Sequence, residues 1–142
     1  MRSGTENVAA AIGFAAALDL AQDMRHDEAT RLSELQQYFF DHLAAEIPQV
    51  IINGSRKKRL PNNMHITLPG IDNERLLVEL DEQGILAAAG SACSASDEEP
   101  SHVLRAMGIS DDDARSSVRL TMGRDTDSAA LDTVVAVLKQ LA

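Results

Sequence analysis

The chain has 142 residues, of which 44% are hydrophobic and only 3% aromatic, and its formal net charge is −9. This length supports one domain with a core of aliphatic side chains. The negative charge argues against nucleic acid or an anionic membrane surface as partners, because both require a basic protein surface. A single cysteine, Cys93, cannot form an internal disulfide, which is typical of a reducing compartment.

The N-terminal third is predicted to be helical. Thr5 precedes an apolar run at helical spacing and is a candidate N-cap for a helix from about Glu6 to Met24; the same threonine and the free N–H groups beside it are a weaker candidate phosphate site. A second helix ends before Pro48, or the two form one longer helix. Because Asp19 follows the apolar run at once, this is not a signal peptide, and we expect a cytoplasmic protein with no membrane span.

Further along the chain, strands and helices alternate. Short β-branched or alternating apolar runs predict strands at 50–52, 64–68, 85–89 and 118–122. Helices are predicted after Asp72 or Asn73, near 97–100, after Ser110 and from Thr126 or Asp127. The basic block 56–59 is predicted to be a solvated loop. This order predicts a single α+β domain over 1–142, with leading helices over 1–47 and an α+β core over 48–142, in which a small, mostly antiparallel sheet has helices packed on one face.

The segment 90–96 carries the strongest candidate for chemistry. It surrounds Cys93 with glycine, serine and alanine rather than with the large apolar neighbours of a buried structural cysteine. A thiolate is a strong nucleophile, and a backbone of small residues lets it travel to a reactant. A surface loop with an incidental cysteine fits the local sequence equally well. The acidic residues at 97–99 oppose the effect of a helix start on the thiol pKa, so its direction stays open.

Arg119 is the second candidate. It alternates with Val118 and Leu120 and is predicted to leave the face on which they pack. An arginine on an otherwise apolar strand is a candidate bidentate clamp for a carboxylate; the alternative is a structural pair with a surface acid. Arg124 is predicted to be a solvated turn residue, and His65 a strand residue on the wetter face. The four histidines show no metal-ligand spacing, so no metal site is predicted.

Five segments of the sequence resemble the C-terminal part of a cysteine desulfurase, in the class V aminotransferase group of pyridoxal-phosphate enzymes. They are RSGTEN (2–7), RLPN (59–62), GSACSAS (90–96), PSHVLRAMG (100–108) and SVRLTMGR (117–124). The resemblance implies that the Cys93 thiolate takes sulfur from L-cysteine as a persulfide and releases L-alanine. It also implies that Arg119 grips the substrate carboxylate and that Thr5 contacts the cofactor phosphate in the neighbouring subunit of a homodimer. A sulfur-relay or iron–sulfur scaffold protein would then accept the sulfur.

The sequence also departs from this family. In the family a larger domain precedes this part and carries the lysine that binds pyridoxal phosphate, whereas Lys57, Lys58 and Lys139 stand in no matching motif. We therefore expect the chain alone to be inactive and to bind no cofactor, as a C-terminal fragment, a split-gene product or a cloned domain. Two alternatives are a cofactor-free persulfide carrier or acceptor-docking module, and a selenocysteine lyase or another class V scaffold.

Overall fold

The computed structural model describes residues 4–89 and 100–142, so Cys93 and the acidic run 97–99 lie outside the described residues. The elements of the described part follow one another in a fixed order. They are α1 (Val8–Glu46), β1 (Ile51–Ile52), β2 (Asn63–Thr67), α2 (Asn73–Glu82), α3 (His102–Ala106), α4 (Asp111–Arg115), β3 (Ser117–Thr121) and α5 (Ser128–Leu141).

The N-terminal third is one helix of 39 residues, α1, rather than two. Its N-cap is Asn7, whose side chain accepts a hydrogen bond from the backbone N–H of Ala10 at 3.0 Å, so the prediction of Thr5 as the cap is wrong. Of the two alternatives, the single longer helix is the one observed, because His26 and Asp27, just beyond the expected end of a first helix, keep their backbone donors, unlike proline. The helix ends before Pro48, as predicted.

The strands form an antiparallel sheet in the order β1-β2-β3, which confirms the predicted α+β class. β2 and β3 pair along their whole length, from Asn63 opposite Thr121 to Thr67 opposite Ser117. Because side chains alternate between the two faces of a strand, this register gives the β2–β3 pair one apolar face and one polar face.

The apolar face builds the core. Its strand residues are Met64, Ile66, Val118 and Leu120, all buried. They belong to one cluster with buried side chains of α1, α2 and α5: Phe39, Phe40, Leu43, Leu76, Leu80, Leu131, Val135 and Leu138. The polar face carries His65 opposite Arg119, so the functional candidates and the core lie on opposite sides of the same two strands.

Local signals at the helix starts are confirmed by the structure. The Asp72 side chain accepts from the backbone N–H groups of Glu74 and Arg75, and the Asp127 side chain caps α5. The Ser110 hydroxyl accepts from the backbone N–H of Asp113 at 3.1 Å, which is one half of a capping box. The Asp113 carboxylate accepts from the Ser110 hydroxyl at 2.7 Å. The helix expected near 97–100 is the short α3, which begins only at His102.

The segment predicted as a strand at 85–89 contributes a single bridge, in which Ala88 pairs antiparallel with Arg119.

The start of α1 is exposed. There Val8, Ile12, Phe14 and Leu18 each leave between 51% and 71% of their surface uncovered. Within 4–89 and 100–142, no helix has both the length and the hydrophobicity to cross a bilayer.

Candidate functional site

A cavity of about 490 Å³ opens on the polar face of the sheet. His65 of β2 and Arg119 of β3 line it from the sheet, and the β1–β2 connection forms a second side with Asn53, Lys58 and Arg59. The third side is the apolar face of α3. A larger depression, of about 640 Å³, lies on the outer surface of α1 and contains none of the predicted site residues.

Arg119 lines this cavity and has no ion-pair partner among the described residues. Its residue is exposed, as the alternation with Val118 and Leu120 predicts, and no described residue forms an ion pair or a side-chain hydrogen bond with its guanidinium. The other charged residues lining the cavity in the described part are Lys58 and Arg59, with no carboxylate among them. An unpaired arginine among cations attracts a small anion, and its planar fork fits a carboxylate bidentately.

Arg59 is the site residue that the sequence reasoning missed. Its guanidinium lies 5.3 Å from the centre of the Phe40 ring and donates to the backbone carbonyl of Asn53. Its Nε and Nη1 are buried and make no hydrogen bond within the described part of the chain. Burial lowers the pKa of Arg59 from its usual range. The prediction of a uniformly solvated basic block is therefore wrong at its last member, because burial depends on a helix far away in sequence.

A buried polar chain underlies the cavity. The Nδ2 of the buried Asn53 lies 2.9 Å from Nδ1 of His65 and 2.8 Å from Oγ1 of Thr67. The Ser117 hydroxyl donates to the carbonyl of Asp113, so the Thr67 hydroxyl, 2.6 Å away, donates to Ser117 and accepts from Asn53. Both amide hydrogens of Asn53 then serve as donors. Nδ1 of His65 is consequently an acceptor, and the proton of the neutral ring lies on Nε2.

The burial and charge around His65 favour its neutral form. Burial is the main cause that lowers the pKa of His65, and the positive charges of Arg119 and Arg59 lower it further. His65 is half-buried on β2, so its predicted place on the wetter strand face is confirmed. Its contact with Asn53 could not be predicted from the strand pattern, because Asn53 lies in the connection before β2.

The cavity also adjoins both described ends of the cysteine segment. The backbone N–H of Ala88 donates to the carbonyl of Arg119 at 3.0 Å, and that of Arg119 donates to the carbonyl of Ala88 at 2.7 Å. On the other side, Pro100 is buried and Ser101 lines the cavity. The described residues that bracket 90–99 therefore flank Arg119, although Cys93 itself is outside the described residues.

Thr5 is not brought to this cavity. It lies exposed before the N-cap of α1, whose first buried residue is Leu32. Leu32 follows Val8 by 24 positions, which corresponds to ~36 Å of helix at the standard rise. The described residues thus form a candidate site at Arg119 and leave the Thr5 region far from it. Among the described residues no group of three or more possible ligands is placed to hold a metal ion.

The fold and the sequence together define the class of protein. Residues 1–134 match the aminotransferase class-V family, and the chain belongs to that family.

Its relatives include cysteine desulfurases. The cysteine desulfurase IscS of Dictyoglomus turgidum is 40% identical over 140 residues, which are 99% of this chain and 36% of that protein. An IscS-like cysteine desulfurase of Mycobacterium tuberculosis is 40% identical over 139 residues, 97% of this chain and 35% of that protein. The structure of a NifS-like protein from Rickettsia africae superposes with a TM-score of 0.79 at 29% identity, over 99% of this chain and 36% of that one. The resemblance to cysteine desulfurases is confirmed, and the chain spans little more than a third of the curated relatives it matches.

The family implies pyridoxal phosphate, and the described residues of this chain do not fit it as a complete holder. Lys57 and Lys58 are exposed, and Lys139 forms an ion pair with Glu46 at 2.6 Å. No carboxylate among the described residues lines the cavity to pair with a pyridine nitrogen. The described residues therefore provide neither a suitably placed lysine nor a ring-pairing carboxylate for this cofactor.

Proposed function

We propose that this chain supplies the persulfide-forming Cys93 and the substrate-binding Arg119 of a pyridoxal-phosphate-dependent cysteine desulfurase. The observation that carries the proposal is the unpaired Arg119 in a cationic cavity without a described carboxylate, bracketed by the two ends of the segment that holds Cys93. This chain matches only 36% of the Dictyoglomus turgidum relative, and in this proposal the cofactor-binding residues other than Thr5 belong to the unmatched remainder.

In this proposal Arg119 holds the carboxylate of L-cysteine. Cys93 follows Ala88, the partner of Arg119, by only five positions, and five residue steps of extended chain span at most about 18 Å. The Cys93 thiolate attacks the substrate sulfur, forming an S–S bond while the bond from Cβ to sulfur breaks. The electron pair of the broken bond stays with the carbon side, which gains a proton and leaves as L-alanine. Pyridoxal phosphate, when bound, supplies the electron withdrawal that weakens the bond to sulfur.

The exposed first half of α1 supports the proposal that the remainder of the active site docks there. Its apolar side chains point to several sides of the helix, and a helix that is apolar all round is normally enclosed by protein. Thr5 lies at the start of this helix, and we keep its contact with the cofactor phosphate, across a homodimer, as part of the proposal. The persulfide on Cys93 would pass to a sulfur-acceptor or iron–sulfur scaffold protein, in the cytoplasm.

Reconstitution tests the proposal. This chain is combined with the separately expressed N-terminal part of the Dictyoglomus turgidum relative and pyridoxal phosphate, and release of L-alanine from L-cysteine is measured. Cys93→Ser should abolish the persulfide detected on this chain by mass spectrometry. Arg119→Ala should raise KM by roughly 10- to 150-fold, the equivalent of a lost charge-assisted pair worth ~1.5–3 kcal/mol.

Arg124→Ala is the matched control, because Arg124 is also exposed and follows the same strand, outside the cavity. Equal kinetics for the Arg119 and Arg124 variants would remove the clamp from the proposal. Persulfide formation by the Cys93→Ser chain would show that Cys93 is not the nucleophile. L-Selenocysteine in the same assay tests the selenocysteine lyase alternative.

The absence of a complete cofactor holder among the described residues favours one second candidate, a persulfide carrier that works without cofactor. A carrier would take up sulfane sulfur on Cys93 from a low-molecular-weight polysulfide in the absence of pyridoxal phosphate. It would pass the sulfur to a thiol acceptor, whether or not the N-terminal part of the relative is present. Stoichiometric uptake under these conditions, with no L-alanine released in the reconstituted mixture, would favour the carrier.

A further inference from the structure

Resting on the proposed role of Arg119, we propose that His65 is a second, neutral hydrogen-bond donor to the same carboxylate. The imidazole Nε2–H and the Arg119 guanidinium would form one carboxylate-binding unit across β2 and β3. His65 is thus assigned a substrate-positioning role in addition to its place in the strand.

The register of the sheet places the two residues together. His65 and Arg119 are directly opposite in the antiparallel β2–β3 pair, so their side chains leave the same face. Opposite residues of such a pair have their Cβ atoms about 4.5–5.5 Å apart. Both residues line the same cavity, and no described residue hydrogen-bonds Nε2 of His65. A carboxylate seated on Arg119 can therefore be reached from the neighbouring strand.

The buried polar chain fixes which ring nitrogen carries the proton. Nδ1 accepts from Asn53, whose other amide hydrogen goes to Thr67. A proton on Nδ1 would require the Asn53 amide to turn its oxygen toward both His65 and Thr67. The Thr67 hydroxyl would then donate to that oxygen, and its hydrogen bond to Ser117 would be lost. The surroundings thus hold the ring with its donor on Nε2.

A neutral donor suits this cavity. Lys58, Arg59 and Arg119 already give it a strong positive charge without a described carboxylate. A protonated His65 would add a fourth cation next to Arg119 and would be repelled by it. The Nε2–H of the neutral ring contributes a directed hydrogen bond to the second carboxylate oxygen without that repulsion.

The competing explanation is that His65 only satisfies Asn53, and two variants separate the roles. A glutamine amide reaches about as far as Nε2 of histidine, whereas an asparagine amide reaches about as far as Nδ1. His65→Gln keeps a donor toward the cavity and loses the acceptor for Asn53. His65→Asn keeps an acceptor for Asn53 and loses the donor toward the cavity.

The experiment uses the 142-residue chain and sodium propionate, with sodium chloride matching the ionic strength. Long-range ¹H–¹⁵N spectra should show His65 as the Nε2–H tautomer, and propionate should shift Nε2 more than Nδ1. Propionate affinity should stay within twofold in His65→Gln and weaken about 2- to 13-fold in His65→Asn, the factor for one neutral hydrogen bond. Thermal unfolding of both variants shows that the comparison is made on folded chains.

The outcomes are distinct. Binding that Arg119→Ala abolishes but that leaves Nε2 of His65 unshifted would overturn this inference and leave the clamp role intact. Affinity retained in His65→Asn and lost in His65→Gln would make His65 structural only. Binding of propionate that is insensitive to Arg119→Ala would overturn both the clamp and the His65 role. The wild-type spectra decide the inference even if a variant fails to fold.

Discussion

The two halves of α1 share one continuous backbone but have opposite surroundings. In the second half, Phe39, Phe40 and Leu43 are at most 1% exposed, and they pack on the sheet and α5. In the first half, Phe14 is 71% exposed and Ile12 is 66% exposed. The second half is amphipathic, with one apolar stripe that this chain covers. The first half is apolar on several sides, and the described residues leave Val8, Ile12, Phe14 and Leu18 more than half exposed.

This difference separates what the chain stabilises by itself from what it presents to a partner. Burial of the second half belongs to the core that holds the sheet, and therefore positions Arg119. The first half adds helix without adding core, so its opening has a small free energy compared with global unfolding. Mutations in the two halves should accordingly act on different properties.

The largest expected contrast compares two phenylalanines of α1. Phe39→Ala removes a fully buried ring and should lower the free energy of unfolding by about 3–5 kcal/mol. Phe14→Ala removes an exposed ring and should leave the urea midpoint of the isolated chain unchanged, while it weakens assembly with the N-terminal part of a relative. Similar losses of stability in both variants would show that the first half is packed in solution.

A second contrast uses two adjacent glutamines. The Nε2 of the buried Gln36 lies 2.7–3.0 Å from the carbonyl oxygens of Leu60, Pro61 and Asn63. Gln36→Leu should cost about 1–3 kcal/mol of unfolding free energy, because it removes a buried side-chain donor from three partly buried carbonyl groups. Gln37→Leu, on the exposed side of the helix, should be nearly neutral in the same denaturation experiment. If Gln36→Leu is equally neutral, the helix does not fix the start of β2.

A third, smaller effect is the pH dependence of stability that His65 causes. His65 lies on the face of the sheet opposite the second half of α1. Burial, together with Arg119 and Arg59, lowers the pKa of His65, and Lys58 also faces the cavity. The imidazole of His65 therefore takes up a proton more readily in the unfolded chain than in the folded chain. The contribution of neutral His65 to stability is complete above the unfolded pKa of about 6.5 and is lost as the pH falls toward the folded pKa.

Urea unfolding of the wild type and of His65→Gln between pH 7.5 and pH 4.5 measures this contribution. The difference between their free energies of unfolding should change in that window, with the wild type losing more stability on acidification. Parallel profiles would mean that the folded and unfolded chains bind the His65 proton equally well.

The smallest expected effect is confined to the exposed half. Gly13 is a helix-interior glycine with open space around the position of an added Cβ. Gly13→Ala favours helix by about 0.5–1 kcal/mol locally. Circular dichroism should show more helix, whereas the urea midpoint should not move because this half opens independently of the core. A raised midpoint would couple the two halves into one cooperative unit.

Local chemistry made much of this fold predictable. The alternation around Arg119 gave the strand and the outward direction of the arginine, and the acidic caps at Asp72 and Asp127 gave two helix starts. Long-range contacts could not be read in the same way. The burial of Arg59 depends on Phe40, and the tautomer of His65 depends on Asn53. The roles of Cys93 and Thr5 came from the family resemblance, and they stay predictions.

The two backbone hydrogen bonds between Ala88 and Arg119 have a consequence for measurement. They join the strand of the arginine to the residues that lead into the cysteine segment. An isolated bridge of this kind lets go without unfolding the sheet, so its amide protons can exchange with deuterium while the core stays closed. The backbone amide of Arg119 therefore reports on this bridge. Slower deuterium exchange of that amide after a sulfur donor or acceptor is added would indicate that the added molecule binds at the cysteine segment.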